Sequence, residues 1–277
     1  MKNIFALLLL VILTGSLIIS CKKDKGDPPV LPPKESMEID FSNFDTGKKS
    51  ADILLPKGDP DVNWNLVYGI ADFWRKIIFT TLAVPVASFK LAVDETPVYL
   101  DDKTWQWTYN TTYLTISYKA RLTGQIRSSD VLWQMYITRT GVGGFSEFLW
   151  FHGTSKLDGT GGQWILNYSP ADQVPVLQID WTRTNSTIGN VTYTYIKEKL
   201  ADGVTANPFN SSFITYGKTT NTLDAYYTIH YFYNTAFADF NVEWSTSAKN
   251  GRVKSLEFFG NTEWHCWDIH YVDVSCP

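Results

Sequence analysis

The chain has little that would announce a chemistry. Of its 277 residues only three are cysteine, three methionine and four histidine. Beyond residue 20 no apolar run approaches the roughly 20 residues a membrane-crossing helix needs, so the body reads as soluble. Basic charge is not in excess: 24 Lys and Arg stand against 28 Asp and Glu, a formal net charge of −4. A nucleic-acid partner would want a basic face, so none is expected. No G-x-S-x-G nucleophile elbow occurs. "DTGKKS" at 45–50 lacks the glycine spacing of a phosphate loop, and "TGVGGF" reads as a turn rather than a dinucleotide fingerprint.

The histidines are His152, His230, His265 and His270. Cys266, Asp268 and His270 would share one strand face but lack a second ligand pair, so no metal is assigned. A carboxylate pair such as Glu147 with Asp180 would serve glycoside hydrolysis only if the fold set the two at the right separation. No catalytic residue and no cofactor is assigned.

What the chain does have begins at residue 2. Lys2 is the only charge among the first twenty residues, an apolar run covers Ile4 to Leu13, and Gly15 and Ser16 loosen it before "LIISC". A short positive start, a core of about ten apolar residues and a small residue before the break describe a secretory signal peptide, residues 1–20, that is removed. The stretch Ile18-Ile19-Ser20-Cys21 resembles the lipobox of bacterial lipoproteins. That resemblance implies cleavage before Cys21 and acylation of its thiol and amino group. Membrane lipid is then the partner of Cys21, and the place is the cell envelope, at the outer membrane or cell surface. Several acyl chains exceed the two signals that durable anchoring requires.

Residues 22–36, "KKDKGDPPVLPPKES", hold four prolines and no periodicity. With Cys21 they read as an extended tether over 21–36, leaving 37–277 as one β-rich domain. With Cys21 lipidated, Cys266 and Cys276 remain as an even pair in an oxidising compartment, and a disulfide is expected. A condition attaches: along one straight strand ten steps would separate them by roughly 33 Å. A bond therefore requires the chain to reverse inside "CWDIHYVDVSC", which contains neither Gly nor Pro.

Within the domain, Met37, Ile39 and Phe41 alternate with Glu38, Asp40 and Ser42, the pattern of a short strand. One long helix is expected over about 60–84: Asp59 caps it, Pro60 occupies its first position and Pro85 stops it. Trp64, Val67, Tyr68, Ala71, Trp74 and Ile78 follow helical spacing along one buried side. From Val98 onward the period is two. The expectation is an antiparallel meander of about eleven strands, closed or curled into a barrel or half-barrel with the helix packed on or in it. Asn250-Gly251 is read as a two-residue hairpin turn. The run "NWNLVYGIADFWRKI" through "LAVPVASFKLAV" to "TWQWTY" is similar to uncharacterised bacterial lipoproteins, a resemblance that implies location and no activity.

Aromatic content is the most unusual feature, with 16 Phe, 15 Tyr and 11 Trp. In "DAYYTIHYFY" both strand faces are apolar, so each is buried by neighbours or one lines a cavity. Tyr227, Tyr231, Tyr233, Trp150 and Trp164 are the candidate lining residues, since aromatic walls with polar tips suit ligands. The leading functional expectation is a non-enzymatic binding protein for an apolar or amphipathic ligand. A surface module that stacks on glycans and a glycoside hydrolase-like enzyme stand behind it.

Overall fold

A computed structural model describes residues 25–44, 62–92, 94–184 and 187–277. Cys21 and the signal segment, and the Asp59-Pro60 cap, lie outside the described residues.

The body is one antiparallel meander of fourteen strands in sequence order, each bonded to its chain neighbours. They are β1 (Val98–Tyr99), β2 (Thr104–Tyr113), β3 (Ile116–Ile126), β4 (Asp130–Arg139), β5 (Phe145–Lys156), β6 (Gly161–Asn167) and β7 (Pro175–Thr184). The second half holds β8 (Thr187–Tyr195), β9 (Phe213–Lys218), β10 (Ala225–Tyr233), β11 (Ala236–Trp244), β12 (Gly251–Lys254), β13 (His265–Trp267) and β14 (Asp273–Val274). The expected count of about eleven is too low, and the sheet is not closed. The chain reverses at Leu114, whose φ is 51°, between β2 and β3, and the last residues fold into two short strands, β13 and β14. Both edge strands have only two residues, which limits the unpaired backbone an open sheet exposes.

One long helix, α1 (Val62–Ala92), packs against β2 and β3 at one end of the sheet and against β12, β13 and β14 at the other. Its first half is buried on nearly every side, with Leu66 and Ile70 as inaccessible as Trp64, Val67 and Trp74. A helix apolar all round belongs inside a protein, which is the position between the two sheet ends. Pro85 does not stop it. The missing N–H costs one helical hydrogen bond. Pro85, Ser88, Phe89 and Ala92 continue the buried face at helical spacing, and Phe89 packs edge-on against Phe151 and Trp164. The second helix, α2 (Leu256–Phe259), is one turn capped by Ser255.

The concave face is built on alternating bulk. Trp105, Gly124, Trp133, Gly153 and Trp164 lie directly opposite one another on β2 to β6. The glycines leave room that neighbouring groups occupy. A Cβ on Gly124 would stand 2.5 Å from the Trp133 indole, and one on Gly153 would stand 2.0 Å from the Gln163 carbonyl oxygen and 2.6 Å from the Trp164 indole. Glycine inside a strand marks such close approaches. Gly251 has the same role: it lies opposite Trp267, 2.3 Å from where its Cβ would be. The Asn250-Gly251 hairpin is accordingly not made. The chain reverses over 245–250 with Lys249 at φ 68°, and Gly251 already belongs to β12.

Residues 32–44 form a strap across the concave face rather than a strand. Pro32, Ser36 and Met37 are buried, so the last residues of the expected tether belong to the folded body. Trp164 Nε1 donates to Ser36 Oγ at 3.2 Å, the Tyr193 hydroxyl to the Met37 carbonyl at 2.6 Å, and the Tyr227 hydroxyl to the Asp40 carbonyl at 2.7 Å. These three donors stand on β6, β8 and β10, so the strap crosses the strands instead of running along one. Phe44 ends it in a cluster with Trp64, Tyr227, Trp244 and Trp267.

At the C-terminus the geometric condition on the disulfide is met. The chain reverses over 268–272: the Asp268 carboxylate accepts from the His270 and Val272 backbone, and Tyr271 adopts φ 69°. Cys266 therefore bonds to Cys276 with a Cα separation of 5.2 Å. This hairpin also holds the start of α1. Asn63 Nδ2 donates to the Cys266 carbonyl, and the Asp273 carboxylate accepts from the Asn63 backbone, each at 3.0 Å. Among the described residues no helix is long and apolar enough to cross a membrane.

Candidate functional site

The strap, α1 and the ends of β8 and β9 enclose a cleft of about 980 Å3. Its apolar wall comes from Met37, Ile39 and Phe41 of the strap and from Ile78 and Val86 of the helix. Tyr193 and Tyr216 form part of the sheet side. Charged residues of both signs surround this wall: Glu35, Glu38 and Asp40 against Arg75, Lys90 and Lys218. Two of the cations are engaged within the protein. Lys90 pairs with Glu38 across the helix–strap junction, and Arg75 donates at 2.5 Å to Asp72, a carboxylate only 5 % exposed.

The phenols at this site are held protonated. Burial, reinforced by the Glu38 charge, pushes the Tyr193 hydroxyl well above its ordinary value. Burial, then Asp40 and Tyr216, does the same for Tyr227. Tyr216 is raised by burial and then by Asp40 and Asp224. All three therefore keep their protons at neutral pH and can donate. Tyr193 and Tyr227 spend their protons on the strap, whereas the Tyr216 hydroxyl is buried with no hydrogen-bond partner among the described residues.

None of the five aromatics singled out from the sequence lines this cleft. Tyr227 is 1 % exposed and packs on Trp244 with ring centroids 4.4 Å apart. Tyr231 lies against Phe73 and Phe209, and Tyr233 against Phe258. Trp150 packs with Phe145 and Phe148, and Trp164 with Phe89 and Phe151. Tyr227 and Trp164 touch the site only indirectly, by tying down the strap. Sequence reasoning missed Tyr193, Tyr216, Arg75, Lys90 and Lys218. Period-two patterning places a tyrosine on a face but cannot tell which stretch of that face a distant strap leaves open.

The other chemistries considered find their residues otherwise occupied. Cys266 is in a disulfide and Asp268 shapes a turn, and the described residues hold no cluster of three or more His, Cys, Asp or Glu able to bind a metal. Glu147 on β5 pairs with Arg121, while Asp180 on β7 accepts from Gln163 at 2.7 Å and Gln178 at 2.6 Å. His230 bonds Asp239 at 2.7 Å and lies flat between Phe213 and Phe237.

The chain matches no family model, no curated protein and no solved structure. Function has to be argued from the cleft.

Proposed function

We propose that this protein is a lipid-anchored binding protein of the bacterial cell envelope that takes an apolar or amphipathic ligand into the cleft beside the strap. The observation that carries this is the cleft itself: an apolar wall of Met37, Ile39, Phe41, Ile78 and Val86, surrounded by charges of both signs. At about 980 Å3 it falls within the usual range of ligand pockets, about 300–1,000 Å3, and it joins an apolar wall to charged groups at its border. The reading gives the sheet the shape of a half-barrel, curled about α1 and the strap, with the ligand entering where the curl stays open.

Titration with a neutral, environment-sensitive apolar fluorophore tests the reading. Binding should saturate at one site, and Ile39→Arg, which places a charge on the apolar wall, should weaken it at least about tenfold. Equal binding by the variant, or no binding by either form, would refute the cleft as the site. The anchor has its own test: Cys21→Ser should abolish incorporation of labelled palmitate and release the protein from the membrane fraction.

A further inference from the structure

The charges around the cleft sort into those already satisfied and those left waiting. Glu38 is paired with Lys90, and Arg75 with Asp72. Lys218 is exposed; its charge is felt by Asp224, yet it makes no ion pair or side-chain hydrogen bond among the described residues. It stands two residues beyond Tyr216 on β9, so both side chains leave the same face of the strand. Asp40 faces the same tyrosine from the strap, since its charge is one of the causes that raise the Tyr216 phenol. Among the described residues its carboxylate accepts only the Ser42 backbone N–H, at 2.9 Å, and pairs with no cation. Glu35, on the strap side, likewise has no ion pair among the described residues.

A ligand entering here removes water from both signs of charge. A neutral amphiphile would strip water from Lys218 and Asp40 while offering neither of them an opposite charge, which is costly. An anionic head would satisfy Lys218 but press against Asp40 and Glu35, and a cationic head would do the reverse. Charge complementarity discriminates among partners in this way chiefly by penalising the wrong sign. We infer that the cleft takes a zwitterionic amphiphile, its anionic group on Lys218 and its cationic group on Asp40 and Glu35, with the alkyl chain along Ile39, Ile78 and Val86. This rests on the proposed binding function and narrows it to a head-group class. A phosphate joined to an ammonium is the simplest chemistry that fits.

The test uses the full-length chain, kept soluble with a fluorinated surfactant, and isothermal titration calorimetry. Four single-chain probes are compared below their micelle-forming concentrations: decylphosphocholine, decyl sulfate, decyltrimethylammonium and decanol. Decylphosphocholine should bind about tenfold tighter than each of the others. Lys218→Met keeps the alkyl stem and should bring decylphosphocholine down to the level of decyltrimethylammonium. Asp40→Asn keeps an acceptor for Ser42 and should let decyl sulfate draw level. Equal or tighter binding of any singly charged or neutral probe to the unaltered chain overturns the head-group assignment, as does a ranking unchanged by both substitutions. If the probes bind without ranking, the cleft function survives and the zwitterion fails. If none binds, both fall.

Discussion

The alternation of tryptophan and glycine across the concave face can be measured as a coupling. Gly124 on β3 lies opposite Trp133 on β4, and a Cβ there would come within 2.5 Å of Cζ3 and 3.0 Å of Cε3 and Cη2. All three nearest atoms belong to the indole, and that indole is fully buried. It cannot swing aside freely, because its Nε1 donates to Ser155 Oγ at 2.9 Å. Gly124→Ala should therefore cost about 1–3 kcal/mol of overpacking. A lowered entropy of the unfolded chain returns about 0.4–1 kcal/mol of this. Trp133→Leu should cost about 2–5 kcal/mol through lost burial and the cavity left behind. In the double variant the added methyl meets no ring and occupies part of that cavity. The double variant should thus be more stable than the sum of the singles predicts, by about 1–2 kcal/mol. Urea unfolding followed by far-ultraviolet circular dichroism reads all four proteins. If the two costs add to within about 0.5 kcal/mol, the sites are independent and the indole is not what demands the glycine.

Three further expectations follow from other parts of the fold. Replacing Cys266 and Cys276 by alanine should lower stability by about 2–3 kcal/mol, because the bond closes a loop of 10 residues, and α1 should exchange its first amide hydrogens faster since its Asn63 anchors sit on that hairpin; unchanged exchange would show that the hairpin does not depend on the bond. Tyr216→Phe removes a buried hydroxyl that has no partner among the described residues, so the ligand-free protein should gain up to about 1 kcal/mol, and any loss of stability would mean the hydroxyl is satisfied in solution. Burial lowers the pKa of His152 below its ordinary 6.5, so folding holds the ring neutral. The unfolded chain binds the proton first, so stability is full above pH 6.5 and declines as pH falls toward the lowered folded value. His152→Gln should flatten the slope between pH 6.5 and 5, and an unaltered slope would assign the acid sensitivity to other groups.

Much of the architecture was legible along the chain because it depends on local pattern. Period-two alternation from Val98 onward, broken by turn residues, is enough to specify an antiparallel meander, since short connections force neighbours to pair. Helical spacing around Trp64 to Ile78 identified α1 for the same reason. Boundaries failed where a distant contact outweighed a local preference. Pro85 is a stop signal by itself, yet the buried face of Ser88, Phe89 and Ala92 carries the helix a further seven residues to Ala92. Asn250-Gly251 is a turn by itself, yet the glycine is spent on clearance for Trp267. Met37 to Phe41 alternates like a strand, but tyrosine hydroxyls from across the sheet bind the Met37 and Asp40 carbonyls that a neighbouring strand would have used.

The sequence by itself determined the fold class, the helix, and the conditions under which Cys266 and Cys276 could meet, because each follows from neighbours in the chain or from covalent geometry. Only the tertiary structure decided that residues 32–44 cross the concave face, and with that crossing which tyrosines are structural and which border the cleft. The strap is bound by single donors on β6, β8 and β10, contacts separated by well over a hundred residues, and no periodicity encodes a meeting of that kind.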